Sequence, residues 1–229
     1  MSMASPFMYA SPEQVMKDRA DYARRNIARG KPIVAIEYTY GVVLLAENPS
    51  AMLHKLSEIY DRIAFAGVGK YDEYERLRIT GIRQADLKGY AYSREDVTAR
   101  SLANLYSQVL GQIFTDSLKP FEVEILVAGV GEDGDGAELY HVTFDGFMTD
   151  EQHFAALGGQ ADALKQFLSE RYEATPDLNA AITLGVEALR DTGSPNLAVA
   201  QVEAAVLDRN LPRRKFRRLD ASEVEAALG

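Results

Sequence analysis

Apolar residues are most continuous between positions 33 and 46, where two short segments meet at a turn that contains glycine. Segments 33–38 and 42–46 are rich in β-branched and aliphatic residues, as strands are, and Thr39-Tyr40-Gly41 is typical of a hairpin turn in which glycine supplies a positive φ. Because polar residues do not alternate with the apolar ones, we expect both faces of this hairpin to be covered.

A helix is predicted to precede the hairpin. Ser11-Pro12-Glu13-Gln14 combines a serine N-cap, a proline in the first turn and a glutamine three residues after the cap, which together indicate a capping box. A narrow apolar stripe then recurs at helical spacing and consists of Met16, Ala20, Ala23 and Ile27. Gly30 is predicted to end the helix. The stripe suits packing against the chain's own core or against a neighbouring subunit, and the pattern leaves both open.

Blocks of strands that alternate with pairs of helices are predicted for the rest of the chain. Further strands are expected over 62–68, 121–130, 138–144, 153–157, 196–207 and 215–219. Helices are expected over 70–85 and 160–172, with others capped by Ser93, by Thr175-Pro176 and by Ser222 with Glu225. The helix after Ser93 would bury Val97, Leu102, Leu105, Val109 and Ile113. This order favours an α+β fold, a four-layer α-β-β-α sandwich of antiparallel sheets.

Composition and charge narrow the functional classes. The chain has 229 residues, of which 47% are hydrophobic, enough for one domain with a full core. Its net charge of −9 disfavours nucleic acids and anionic membranes as partners, because like charges repel. The lack of cysteine excludes disulfides and thiolate metal sites. The start shows no secretory signal and no apolar run is long enough to span a membrane, so we expect a soluble cytoplasmic protein.

Patterns typical of catalytic or metal-binding residues are weak. His54, His141 and His153 fall in different predicted elements and not at the spacing of metal ligands, and no serine has the Gly-x-Ser-x-Gly context of a nucleophile elbow. We therefore expect no metal, no cofactor and no independent catalysis. The basic run at 213–218 would be split between two faces of a strand, which favours solvated or interface charges over an RNA-binding surface.

Two glycine-rich segments superficially resemble ligand-binding loops. Gly67-Val-Gly-Lys70 fails as a phosphate-binding loop, because Ala64 stands where the first glycine is required and Tyr71 where Ser or Thr must hold a metal. Residues 131–136 lack the downstream glutamate of a calcium loop. We expect a strand-to-helix turn at the first segment and a solvated hairpin turn at the second.

The hairpin also carries a family pattern. Its Val-Ala-x-x-Tyr-x-x-Gly-Val-Val-x-x-Ala-Glu run, which resembles the opening hairpin of the proteasome branch of N-terminal-nucleophile hydrolases, comprises Val34, Ala35, Tyr38, Gly41, Val42, Val43, Ala46 and Glu47. The segments that resemble α-type subunits of the 20S proteasome, most closely the actinobacterial branch, are Ser11-Pro12-Glu13, Tyr22-Ala23-Arg24, Lys55-Leu-Ser-Glu-Ile-Tyr-Asp61, Gly89-Tyr-Ala-Tyr92 and Gly158. The resemblance covers essentially the whole chain and implies an N-terminal-nucleophile hydrolase-like fold.

In catalytic members of that family, threonine is the first residue of the mature chain, and the pattern places Lys31 at that position. Such a nucleophile needs a hydroxyl or thiol on the first residue and its free α-amine as the base. Residues 28–33 contain no Ser, Thr or Cys, so no cleavage there exposes one. The resemblance therefore implies a non-catalytic subunit of a threonine-type protease complex; an independent N-terminal-nucleophile amidohydrolase is the alternative.

The resemblance implies a heptameric ring of α subunits at each end of a barrel, stacked on rings of β subunits that hold threonine active sites. Residues 11–229 would form a single α-type domain that begins with a helix over 11–30, and residues 1–10 would form a mobile gate across the axial pore. The gate comprises Met1, Ser2, Met3, Ala4, Ser5, Pro6, Phe7, Met8, Tyr9 and Ala10. Further implied partners are a hexameric ring ATPase and unfolded protein substrates tagged with a small protein modifier.

The resemblance also implies where the ring ATPase docks. Its C-terminal tails would enter pockets between neighbouring α subunits, where Lys55 of the Lys-Leu-x-x-Ile pattern meets the terminal carboxylate. Pro12 and Gly30 would line the same pocket, and Ser11 and Tyr22 would support the gate. The Tyr-Asp pair that steadies an open gate in archaeal relatives has no counterpart upstream of Ser11.

Overall fold

The computed structural model describes residues 11–50, 52–131, 136–172 and 174–229. Within these ranges the α-helices are α1 (Pro12–Ile27), α2 (Tyr71–Ala91), α3 (Ala99–Asp116), α4 (Ala161–Arg171), α5 (Leu178–Thr192) and α6 (Ala221–Leu228). The strands are β1 (Ile33–Tyr38), β2 (Gly41–Glu47), β3 (Leu56–Tyr60), β4 (Ile63–Gly69), β5 (Val123–Val130), β6 (Ala137–Val142), β7 (Met148–Glu151), β8 (Phe154–Leu157), β9 (Val202–Asp208) and β10 (Phe216–Leu219). Single-turn 3-10 helices cover Arg94–Asp96 and Val199–Gln201.

The strands form two antiparallel sheets of five strands each. Sheet 1 has the order β10-β9-β2-β1-β8, and sheet 2 has the order β3-β4-β5-β6-β7. The predicted β1–β2 hairpin is confirmed near the centre of sheet 1, where Ile33 pairs with Ala46 and every residue of β2 is buried. A close approach of β9 also requires glycine at the turn, because a Cβ on Gly41 would lie 1.9 Å from the carbonyl oxygen of Leu207.

Three apolar clusters define the layers of the fold. One cluster lies between the two sheets, a second lies between sheet 1 and helices α4, α5 and α6, and a third lies between sheet 2 and helices α2 and α3. Helices therefore cover the outer face of each sheet. The four-layer α-β-β-α sandwich expected from the sequence is confirmed, and burial on both faces accounts for the continuous apolar runs of β1, β2 and β5.

Helix α1 packs on the core between the sheets with most of its predicted stripe. Ala23 and Ile27 are buried in the inter-sheet cluster, whereas Met16 is 36% exposed. Ser11 caps the helix as predicted, with its Oγ accepting a hydrogen bond from the Gln14 amide at 3.2 Å. The predicted return bond of the capping box is replaced, because the Gln14 side chain donates instead to a carboxylate one turn along the helix. Ala20 is partly buried against the same cluster, so packing on the chain's own core holds for every residue of the stripe except Met16.

Strands β3 and β7 have no counterpart among the predicted elements, and both are edge strands of sheet 2. No residue of the four-residue β7 is buried, and only two residues of β3 are buried. Edge strands are typically short and polar, which limits unwanted pairing with other chains. These two strands therefore lack the continuous apolar run that identifies the central strands.

The residues that cap three helices also differ from the prediction. Caps of α3, α5 and α6 are Thr98, Asp177 and Asp220, rather than Ser93, Thr175-Pro176 and Ser222. Each side chain accepts a hydrogen bond from the backbone amide three residues later, as N-caps do. Ser93 caps only the 3-10 turn that precedes α3.

The buried face of α3 is rotated from the predicted one. Its buried residues are Ala99, Leu102, Ala103, Tyr106 and Leu110. Leu105, Val109 and Ile113 of the predicted face are only partly buried. Tyr106 takes the inner position, where its ring contacts Phe65 with the centroids 5.8 Å apart. The aromatic ring of Tyr106, rather than the neighbouring Leu105, therefore lies on the buried face of the helix.

The two glycine-rich segments lie at turns between elements. Gly67, Val68 and Gly69 are the last residues of β4, so the predicted change from strand to helix falls at Gly69, with a φ of +107°, and at Lys70, the N-cap of α2. Of the segment at 131–136, residues 132–135 lie outside the described part of the chain, and the flanking strands β5 and β6 form the predicted hairpin. Among the helices that the structure describes, none is both long and apolar enough to cross a membrane.

Candidate functional site

Half-exposed Lys31 pairs with the buried carboxylate of Glu47 at the position where catalytic relatives would carry a nucleophile. The hairpin register places the end of β2 beside the residues that lead into β1, and the amide of Glu47 donates to the carbonyl of Pro32 at 3.1 Å. Lys31 Nζ lies 2.7 Å from Glu47 Oε1, and Ser194 Oγ donates to Glu47 Oε2 at 2.9 Å. The position thus holds a paired ammonium group and no hydroxyl or thiol.

Lys55 immediately precedes β3 and turns its side chain toward Lys31. Its Nζ donates a hydrogen bond to the Lys31 carbonyl oxygen at 2.5 Å. Burial lowers the pKa of Lys55 to about 8, and the charge of Lys31 lowers it too, while the carboxylates of Glu203 and Glu47 act in the opposite direction. Near pH 7 the side chain remains mostly charged, as capture of a carboxylate requires.

Glu203 of β9 organises the backbone around Lys55. Its Oε2 accepts hydrogen bonds from the Lys55 amide at 2.9 Å and from Asn48 Nδ2 at 2.7 Å, and its Oε1 accepts one from Arg218 Nη1 at 2.7 Å. Glu203 is absent from the residues predicted from the sequence. The available signal is an acidic residue inside the apolar run Val202-Glu-Ala-Ala-Val206, where a charge needs partners if it is buried.

The predicted docking residues come together only in part. Helix α1 ends at Ile27, before the predicted stop at Gly30, and Gly30 lies in the turn that leads to Lys31. A Cβ on Gly30 would lie 2.6 Å from Val68 Cγ2, so this turn packs tightly on β4. Lys55 and Gly30 therefore both adjoin Lys31. Pro12 stands at the opposite end of α1, a helix of 16 residues and so about 24 Å long.

A small cavity of about 170 Å³ opens beside Lys31. Its lining residues are Ala28, Arg29, Gly30, Lys31, Pro32, Glu47, Gly159, Gln160, Gly193 and Ser194. Lys55 and Pro12 do not line it, so the cavity of the single chain contains only Gly30 of the three predicted docking residues.

The predicted gate-supporting residues Ser11 and Tyr22 lie about three turns apart on α1. Tyr22 Oη donates to Glu122 Oε1 at 3.3 Å, and the Lys119 ammonium lies 6.0 Å from the centroid of the Tyr22 ring. Burial disfavours the charge of Lys119, but hydrogen bonds with Glu122 and Glu73 outweigh it and raise its pKa. Tyr22 is thus anchored to a charged cluster of its own chain, and gate residues 1–10 lie outside the described residues.

Most arginines of the basic run at 213–218 have acidic partners on different elements. Arg214 pairs with Glu58, Arg217 with Glu223, and Arg218 with Glu203. These contacts divide the run among three ion pairs. The arrangement accords with interface or solvated charge more than with a continuous RNA-binding surface.

The three histidines lie beside carboxylates in separate places. His54 adjoins Glu203, His153 adjoins Glu37, and His141 lies between two carboxylates of sheet 2. Burial is the largest influence and acts to lower the pKa of His141, but the carboxylates of Glu124 and Glu151, whose oxygens lie 3.5 and 3.7 Å from its ring nitrogens, together raise it. Within the ranges that the structure covers, no group of three or more His, Asp or Glu side chains is placed to hold a metal ion.

Comparison with known proteins gives one consistent family. A family model described as proteasome subunit matches residues 27–207. A protein from Streptosporangium roseum named proteasome subunit alpha is 54% identical over 226 residues, which cover 99% of this chain and 87% of that protein. Proteins of the same name from Thermomonospora curvata and Acidimicrobium ferrooxidans are each 52% identical across 99% of this chain, and the matches cover 98% and 97% of those proteins.

Proposed function

This chain belongs to the proteasome subunit family, as an alpha-type member, and from that membership we propose that it builds the end rings of a 20S core particle without contributing an active site. Seven copies would form each ring and stack on rings of β subunits. Threonine residues of those β subunits would carry out proteolysis. The particle would work in the cytoplasm on unfolded proteins tagged with a small protein modifier.

The ion pair between Lys31 and Glu47 is the observation that carries this proposal. Catalysis of the N-terminal-nucleophile type needs a hydroxyl or thiol beside a free α-amine. Here the corresponding residue is a lysine whose ammonium lies 2.7 Å from a carboxylate that is only 7% exposed. Its backbone nitrogen belongs to a peptide bond that continues from α1 and Gly30. The chain therefore keeps the hydrolase scaffold without the nucleophile that such chemistry needs.

Gating and activator docking complete the proposal. Residues 1–10 would restrict the axial pore, with Ser11 capping α1 and Tyr22 anchoring that helix to the charged cluster around Glu122. C-terminal tails of a hexameric ring ATPase would bind at Lys55. Pro12 stands at the start of α1, whereas Gly30 and Lys55 lie near the chain that follows its end, and this separation favours a composite pocket in which Pro12 of one subunit approaches Lys55 and Gly30 of the next.

Determination of the mature N-terminus separates this proposal from an independent amidohydrolase. We expect chain sequencing after purification to find Met1 or Ser2 at the start, because residues 28–33 offer no nucleophile to expose. The purified chain alone should hydrolyse neither peptides nor small amides. A mature chain that begins at an internal Ser or Thr, with hydrolytic activity of its own, would contradict the proposal.

A further inference from the structure

We propose that Glu203 is a positioning residue for the capture of a C-terminal carboxylate by Lys55. The inference rests on the proposed docking function of Lys55 and extends it to a residue of the opposite sheet. Glu203 belongs to β9 of sheet 1, whereas Lys55 leads into β3, the edge strand of sheet 2. A single carboxylate thus ties the docking lysine to a strand that is 148 positions away in the sequence.

The contacts of Glu203 hold both ends of the segment that carries Lys55. At one end, Asn48 Nδ2 donates to Glu203 Oε2 at 2.7 Å. At the other end, the amides of Lys55 and Leu56 donate to Oε2 and Oε1 at 2.9 and 3.2 Å. The glutamate side chain is only 9% exposed, so these hydrogen bonds form away from competing water. Both carboxylate oxygens are occupied by donors of this one segment.

Two further groups strengthen the same arrangement. Arg218 of β10 donates to Glu203 Oε1 at 2.7 Å and to the Leu56 carbonyl at 2.6 Å, and His54 Nδ1 lies 3.3 Å from Glu203 Oε1. The Lys55 carbonyl in turn accepts a hydrogen bond from the Gly67 amide at 3.1 Å. The Lys55 backbone is therefore held on both sides, by Glu203 at its nitrogen and by β4 at its oxygen, so the reach of its ammonium group is restricted.

Glu203 also affects the pH at which Lys55 loses its charge. Burial lowers the pKa of Lys55 to about 8, Lys31 lowers it as well, and Glu203 and Glu47 oppose the fall. Loss of the Glu203 charge therefore moves that pKa below 8, and the ammonium form disappears at lower pH. A further fall by about one pH unit reduces the charged fraction at pH 8 about fivefold. Arg218 and His54 face Glu203 and would lose their anionic partner.

The test compares two probes on the assembled core particle: a peptide with the C-terminal sequence of the ring ATPase, as the free acid and as the C-terminal amide. For the unmodified chain, the acid should bind more tightly than the amide, and this preference should decline as the pH rises through about 8. Glu203→Gln should shift the decline to lower pH and reduce the preference for the acid severalfold at pH 8. Glu58→Gln, which removes a carboxylate of β3 that pairs with Arg214, should keep the unmodified pH profile.

The outcomes separate the docking function of Lys55 from the positioning role of Glu203. Equal binding of acid and amide by the unmodified particle would overturn the docking function itself. A clear preference for the acid with an unchanged pH profile in Glu203→Gln would overturn the role of Glu203 and leave docking intact. If Glu203→Gln does not assemble, Glu203→Asp tests the positioning role instead. Its side chain keeps the negative charge but is one methylene shorter, so the carboxylate lies farther from the Lys55 amide. It should weaken binding of the acid with little shift of the pH midpoint, and binding as tight as that of the unmodified particle would refute the positioning role.

Discussion

Replacement of Lys55 with alanine is expected to abolish ATPase-stimulated protein degradation while the core particle remains assembled. An ammonium group about 4 Å from a carboxylate contributes about 1 kcal/mol in water and about 4 kcal/mol near a protein surface. Loss of that attraction weakens each tail about fivefold to several hundredfold. In the proposed docking, several tails of one ring ATPase would engage together, so the losses would combine and binding of the whole ring would weaken more than binding of one tail.

Two matched variants separate charge at Lys55 from a general effect of mutation. Lys55→Arg keeps the positive charge and should retain part of the response to the ATPase. Lys88→Ala removes a lysine from α2, the helix that covers sheet 2, and should leave the response unchanged. Degradation is measured with and without the ATPase, and particle size is checked for every variant. A normal ATPase response in assembled Lys55→Ala particles would refute the docking assignment.

Deletion of residues 1–10 is expected to raise hydrolysis of small peptides by the assembled particle severalfold. The proposal assigns these residues to the axial pore, so their removal increases the rate at which peptides enter without changing the β active sites. Hydrolysis of a fluorogenic peptide in the absence of the ATPase measures this entry. Deletion should also reduce the further stimulation that the ATPase provides.

A replacement variant distinguishes the sequence of this segment from its mere presence. When residues 1–10 are exchanged for a Gly/Ser sequence of equal length, peptide hydrolysis should rise if closure depends on specific contacts of the native residues. Labelling of the β-subunit threonines with a covalent inhibitor serves as the control for the number of active sites. An unchanged hydrolysis rate after deletion would show that the gate lies elsewhere.

Central strands could be predicted from the sequence because their environment is uniform. Both faces of the β1–β2 hairpin are covered by apolar layers, and this produces the nearly continuous run of apolar residues at 33–46. Edge strands β3 and β7 are less covered than the central strands, so apolar and polar residues are mixed in their sequences. Their pairing with β4 and β6 depends on contacts across the sheet that no local pattern reveals.

Helix ends show a similar limit at shorter range. Near the start of α6, Ser222 and Asp220 are both good N-cap residues. The structure uses Asp220, whose side chain and that of Glu223 each accept a hydrogen bond from the other's amide. Which of the two residues caps the helix depends on where β10 ends, and it ends at Leu219, directly before Asp220.

Residues of the candidate site could be predicted from the sequence only where they belong to a local sequence pattern. The family resemblance selects Lys55 and Gly30, and the structure places both beside Lys31. The acidic residue within the apolar run of β9 signals that Glu203 needs partners, but the partners lie in distant segments, so the sequence does not reveal which groups they are. The docking roles of Lys55, Gly30 and Pro12 stay predictions, and that of Pro12 also depends on a neighbouring subunit.

The central claim is that this chain assembles and gates a protease whose chemistry belongs to another subunit. Light scattering after size exclusion, combined with a peptidase assay, tests it on the chain alone and on the chain co-expressed with the β-type subunit from the same genome. We predict a particle of several hundred kilodaltons in the co-expressed sample, with peptidase activity in that sample only. A monomer that hydrolyses peptides without the β-type subunit would contradict the account.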